Sequence, residues 1–113
     1  MAAIAIGNAS GSNSQEAFAI SIGNNAGYIT QRNSAIAIGY TAGYSNQNSN
    51  SIAIGNGVGF CNQSLNAVAL GFYAGYESQN SNTIAIGYEA GHTNQQIDAI
   101  ALGDQAGSNL QGT

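Results

Sequence analysis

The sequence predicts an all-β protein: a parallel β-solenoid of seven stacked 16-residue rungs. Three observations carry that expectation. Glycine recurs without slippage at Gly7, Gly23, Gly39, Gly55, Gly71, Gly87 and Gly103. Two columns of large aliphatics precede it at the same period, Ile4, Ile20, Ile36, Ile52, Val68, Ile84, Ile100 and Ile6, Ile22, Ile38, Ile54, Leu70, Ile86, Leu102. A glutamine column follows it at Gln15, Gln31, Gln47, Gln63, Gln79, Gln95 and Gln111. Self-similarity at a fixed period is the signature of a stacked repeat architecture.

The unit reads A-I-A-I-G-(N/Y)-x-A-G-Y-x-N-Q-x-x-N, and each part has a structural consequence. The aliphatic columns flank a small one, Ala5, Ser21, Ala37, Ala53, Ala69, Ala85 and Ala101. Large, small, large is alternation of period 2, which puts both aliphatics on one side of a strand. β-branched Ile favours that pleat. A second glycine follows four residues after the first, at Gly11, Gly27, Gly43, Gly59, Gly75, Gly91 and Gly107. The paired glycines mark a first turn that needs φ > 0 or close backbone approach. The N-Q-x-x-N segment supplies a second strand and its turn. Stacking the coils pairs like strands in parallel at ~4.8 Å, so like residues form ladders, and seven rungs make a rod ~34 Å long. Asn and Gln suit such ladders because each amide bonds those above and below. Frequent Gly, β-branched Ile and abundant Asn and Ser oppose helix. A meander of hairpins would reverse successive I-A-I runs, yet nothing alternates at twice the period.

Residues 1–113 are expected to form one domain with no separate caps. The 112 residues from Ala2 to Thr113 equal seven full periods. Rungs at the two ends are therefore expected to be complementary, so that copies stack head to tail. Large aliphatics occupy only one strand of each rung, and the opposite strand is mainly Asn, Gln and Ser. A core so thin in about 110 residues is marginal. The aliphatic columns are accordingly expected to serve as core and assembly ladder, with further burial between side-by-side copies. The small Ala5-to-Ala101 column is the expected sheet-to-sheet contact between chains.

Charge excludes several partner classes. Arg32 is the sole basic residue against five acids, for a net charge of −4. Such a chain cannot neutralise a row of phosphates, so neither nucleic acid nor an anionic membrane surface is an expected partner. No apolar run is long enough to cross a membrane as a helix. No charged segment followed by an apolar stretch marks a signal peptide. With 43% hydrophobic residues in strict order, the chain is not disordered.

The residue types that carry chemistry are sparse, and no enzyme, cofactor or metal site is expected. Cys61 and His92 lie two rungs apart, ~9–10 Å at solenoid spacing, beyond the reach a nucleophile and its base require. One Cys excludes an intrachain disulfide. The five acids fall in different columns, so no carboxylate ladder for Ca²⁺ forms. Gly55-Asn56-Gly57-Val58-Gly59-Phe60 lacks the third glycine of a dinucleotide loop. The aromatic column Tyr28, Tyr44, Phe60, Tyr76 admits two readings. The rings stack on one another and seal the turn, or they contact a surface glycan by ring stacking beside Asn and Gln. A flat repeating face also suits ice, although no paired Thr ladder is present.

The A-I-A-I-G-x-x-A-G unit, as in Ile36-Ala37-Ile38-Gly39, Ile52-Ala53-Ile54-Gly55 and Ile84-Ala85-Ile86-Gly87, resembles the YadA-like head repeat of trimeric autotransporter adhesins. It is also similar to I-A-I-G repeats in large-virus and phage surface fibres. The resemblance spans the whole chain. It implies a left-handed parallel β-roll, usually trimeric, used for attachment or as fibre. The period here is longer than the family's common one, which implies a longer second turn. The expected function is a non-enzymatic, extracellular, cell-surface or virion-surface solenoid whose partner is itself, as trimer or filament. The alternative is an adhesin head that binds host glycan or cell wall.

Overall fold

A computed structural model describes residues 2–109. Gln111 of the glutamine column, and Thr113 at the far end of the phase match, lie outside the described residues. Every described strand has three residues and every described pairing is parallel. One sheet is built from β1 (Ile4–Ile6), β3 (Ile20–Ile22), β5 (Ile36–Ile38), β7 (Ile52–Ile54), β9 (Val68–Leu70), β11 (Ile84–Ile86) and β13 (Ile100–Leu102). The other is built from β2 (Asn13–Gln15), β4 (Ile29–Gln31), β6 (Ser45–Gln47), β8 (Cys61–Gln63), β10 (Glu77–Gln79) and β12 (Thr93–Gln95). The chain alternates between the two sheets and returns one rung further on each time. This is a β-solenoid with no helix among the described residues. Register follows the sequence period: Ile36 pairs with Ile52, Ala37 with Ala53, and Ile38 with Ile54. The rod measures 36 × 20 × 15 Å.

The turns stack as well as the strands. Gly43 N donates to Val58 O at 2.8 Å, and Thr41 N to Asn24 O at 2.9 Å. Most turn amides therefore find partners one rung away, while others close a turn on their own rung, as Ala42 N does on Gly39 O at 3.3 Å, which meets the requirement that buried backbone groups be bonded.

The interior differs from the expected aliphatic core. In the first sheet the small column points inward: Ala37, Ala53, Ala69 and Ala85 are fully buried. So are Ala26, Ala42, Val58, Ala74 and Ala90 from the first turn. The second sheet contributes Gln31, Gln47, Gln63, Gln79 and Gln95, also fully buried. The Ile, Val and Leu columns point outward. The expectation that they fill the core, and that the Ala column faces other chains, is thus reversed. The cause is cross-section. A 16-residue coil closes so tightly that Gln from one wall reaches the backbone of the other, leaving room for a methyl but not an isobutyl group.

The second sheet is less regular than its sequence suggests. Its middle residues, Ser14, Thr30, Asn46, Asn62, Ser78 and Asn94, have φ of 52° to 64°. Only the flanking residues pair, Asn13 with Ile29 and Gln15 with Gln31. A further left-handed column runs through Asn50, Asn66, Asn82 and Asp98 at φ 59° to 63°. Asn tolerates this conformation better than most residues with a Cβ. The two Asn of N-Q-x-x-N therefore mark two left-handed corners.

Candidate functional site

The conspicuous surface is the outer face of the first sheet. Alternation within each three-residue strand fixes it: the Ala that points inward forces both neighbours outward. Ile4, Ile6, Ile54, Ile86, Ile100 and Leu102 are 38% to 60% exposed. Ile20, Ile22, Ile36, Ile38, Ile52, Val68, Leu70 and Ile84 are half-buried against the rungs beside them. All fourteen sequence-predicted aliphatics therefore share one flat face. Just past the first-turn glycine, Tyr40, Phe72 and Tyr88, at 58%, 42% and 50% exposure, carry the apolar surface round the corner.

The glycines make this flatness possible. Gly7, Gly23, Gly39, Gly55, Gly71, Gly87 and Gly103 have φ of 111° to 130°. A Cβ on Gly23 would lie 2.6 Å from Gly39 O, so side chains are shut out by the rung above. The second column serves a different purpose. Gly11, Gly27, Gly43, Gly59, Gly75, Gly91 and Gly107 have φ of 52° to 55°. The glutamine amide folds into the space a side chain there would take.

Inside, the glutamines form a one-directional chain of amides. Gln31 Nε2 donates to Ile20 O at 2.8 Å and to Gln47 Oε1 at 3.1 Å. Gln47 Nε2 repeats the pattern with Ile36 O at 2.6 Å and Gln63 Oε1 at 3.2 Å. Gln63 does so with Ile52 O at 2.7 Å and Gln79 Oε1 at 3.2 Å. Gln15 opens the series on Ile4 O and Gln31 Oε1. Each amide thus ties its own rung across the coil and to the next rung. Among the described residues no buried side-chain polar atom lacks a partner. Ser21, the one polar member of the small column, satisfies itself by donating to Gln31 Oε1 at 2.5 Å.

The aromatic column is a continuous stack. Tyr28 and Tyr44 lie 5.1 Å apart, Tyr44 and Phe60 4.7 Å, Phe60 and Tyr76 5.0 Å, and Tyr76 and His92 5.1 Å between centroids. Tyr73 bridges this ladder to a second stack: it lies 4.9 Å from Tyr76 and 4.1 Å from Phe72, which in turn faces Tyr88 at 5.5 Å. Tyr73 stands outside the 16-residue aromatic column, and its bridging position comes only from the fold. Because the rings of the ladder face one another, they offer solvent their edges. A sugar ring would meet edges and hydroxyls there, not a stacking face.

Other chemistry is dispersed. Cys61 and Glu77 are register partners on neighbouring rungs. Partial burial first, and the Glu77 carboxylate second, push the Cys61 thiol above its ordinary range. That makes it a weaker nucleophile, opposite to the shift that activates catalytic thiols. Burial likewise raises the Tyr76 phenol, with smaller contributions from Tyr73, Cys61 and Glu77. His92 Nδ1 lies 3.0 Å from Thr93 Oγ1. Arg32 and Glu16 approach to 3.9 Å at an exposed site, where an ion pair contributes little. Among the described residues no three of His, Cys, Asp and Glu gather to hold a metal ion, and no pocket opens on the surface.

Compared with protein-family models, with curated proteins and with solved structures, the chain gives no match.

Proposed function

We propose that this chain is a non-enzymatic structural solenoid that assembles laterally with copies of itself into a fibre on a cell or virion surface. The observation that supports this reading is the outer face of the first sheet, where fourteen aliphatic side chains stand in two straight columns on a rod 36 Å long. The columns sit ~7 Å apart, so with their side chains the face covers roughly 400 Å² in projection. Contiguous apolar patches of that size on small chains are commonly functional. A single face-to-face contact supplies about half of a standard interface per partner. Assemblies in which each chain touches more than one neighbour, such as rings or fibres, therefore suit it better than an isolated dimer. Flatness and fixed 16-residue register favour a partner with the same spacing, which a second copy has by construction.

Sedimentation and electron microscopy of the purified chain test this directly. The expected result is a defined oligomer or filament. Ile38→Asp combined with Ile54→Asp is expected to give dispersed monomers that keep the strand signal in circular dichroism, because both positions face outward. A wild-type chain that stays monomeric at high concentration would overturn the proposal.

A further inference from the structure

We propose that Asn56–Gly57 is a spontaneous deamidation and isomerisation site that the rung's own hydrogen bonds hold shut. It is the single Asn–Gly pair in the sequence. Glycine offers an attacking amide no side-chain hindrance, which makes this dipeptide the intrinsically reactive one. The Asn56 side chain is exposed, so water has access to it. The same turn position holds Asn8–Ala9 and Asn24–Asn25 in earlier rungs, where the following residue has a Cβ.

The chemistry needs water and no other reagent. The Gly57 nitrogen gives its proton to solvent base and attacks Asn56 Cγ. A new N–Cγ bond forms, the Cγ–Nδ2 bond breaks, and ammonia leaves with a proton from solvent. Water then opens the cyclic imide at either carbonyl. One product is Asp at position 56; the other is an isoaspartyl linkage with one extra methylene in the main chain.

The fold obstructs the first step. Gly57 N donates to Tyr40 O at 2.8 Å, and Asn56 O accepts from Tyr73 N at 3.0 Å. These bonds fix the peptide plane between two neighbouring rungs and occupy the proton that must leave. Gly57 is buried at φ 64°, and the Tyr73 ring lies where a Gly57 Cβ would be. Attack therefore requires local opening of the rung. Once formed, the isoaspartyl linkage lengthens one coil of a stack whose every rung has the same length. It also displaces the Tyr73 ring that joins the two aromatic stacks. The site acts as a one-way mark of a rung that has opened.

The 113-residue chain is incubated at one pH and temperature in native buffer and in urea, and Asn56 conversion is followed by peptide-mapping mass spectrometry. A synthetic peptide spanning 50–64 supplies the open-chain rate without relying on complete unfolding. The expected result is that Asn56 is the first Asn converted in the open chain, and that folding slows it by about tenfold or more. Equal rates in the native chain and the peptide overturn the proposal, as does another Asn converting first in the open chain. Neither outcome depends on whether the chain assembles.

Discussion

The amide of Gln47 lies across Gly43: a Cβ on Gly43 would meet Gln47 Oε1 at 2.6 Å. The same relation joins Gly75 to Gln79 and Gly91 to Gln95, each at 2.7 Å. The fixed four-residue interval between the second glycine and glutamine is thus one device. Glycine turns the chain through the left-handed region and vacates the volume that the glutamine amide needs to reach the opposite wall.

This coupling predicts a non-additive pair. Gly75→Ala alone should cost at least the ~1–2 kcal/mol of a left-handed residue with a Cβ, plus the displacement of a bonded amide. Gln79→Ala removes the obstructed group. In a urea-unfolding cycle the double variant should be less destabilised than the sum of the singles by on the order of 1 kcal/mol. Additivity within the ~0.5 kcal/mol seen for independent sites would show that glycine and glutamine act separately.

The glutamine chain should be intolerant of acid in place of amide, in a pH-dependent way. In Gln63→Glu a carboxylate would face Ile52 O and Gln79 Oε1, both acceptors, with its charge buried. Protonated, the same group could still donate one of those bonds. Its folded-state pKa should therefore rise above the unfolded ~4.3. By linkage the variant should be most stable below that unfolded value and lose stability as pH rises through the folded value. A melting temperature flat between acid and neutral pH would contradict this placement.

Inside and outside of the first sheet should respond oppositely to size. Ala53 is fully buried, and a Cβ on Gly59 would already touch its methyl at 3.2 Å. Ala53→Leu should cost at least the ~1–3 kcal/mol of overpacking. Its neighbour Ile54 is 39% exposed, so Ile54→Thr should change monomer stability by about 0.5 kcal/mol or less. Chemical denaturation of both, at concentrations where neither assembles, separates the predictions. The opposite ranking would place the aliphatic columns inside.

Alkaline pH should loosen the second sheet. Cys61 and Tyr76 both titrate above their ordinary values of 9.0 and 10.0, mainly through burial. As pH passes the ordinary values the unfolded chain ionises first, so stability is intact below them and falls above. Cys61 alkylation by iodoacetamide should be slower in the native chain than in urea at pH 8. Equal rates would mean that the thiol is not shielded.

Much of this architecture is legible from spacing. Because Gly7 through Gly103 never drift from the period, strand must pair with its own equivalent, which dictates a parallel, in-register stack. The columns Gln31 to Gln95 and Tyr28 to His92 become a hydrogen-bonded chain and a ring stack for the same reason. Other features have no one-residue signature. The left-handed corners at Asn46 and Asn50 are indistinguishable in sequence from hydrogen-bonding Asn. Tyr73 joins the two aromatic stacks because Gly57, one rung earlier, leaves room for its ring, and that relation crosses sixteen residues of chain.

The sequence by itself determined the repeat, the parallel stacking and the shared face of the two aliphatic columns, since a period of 16 and an alternation of 2 admit no other pairing. Which way that face points was decided only by the tertiary structure. Alternation says that Ile36 and Ile38 lie together and opposite Ala37; it is silent on which of them is inside. Closure of the coil settles that. With Gln47 donating to Ile36 O at 2.6 Å across the interior, the two walls leave room at this column for the Ala37 methyl or the Ser21 hydroxymethyl but not for a side chain the size of Ile. The large side chains are therefore left on the outside.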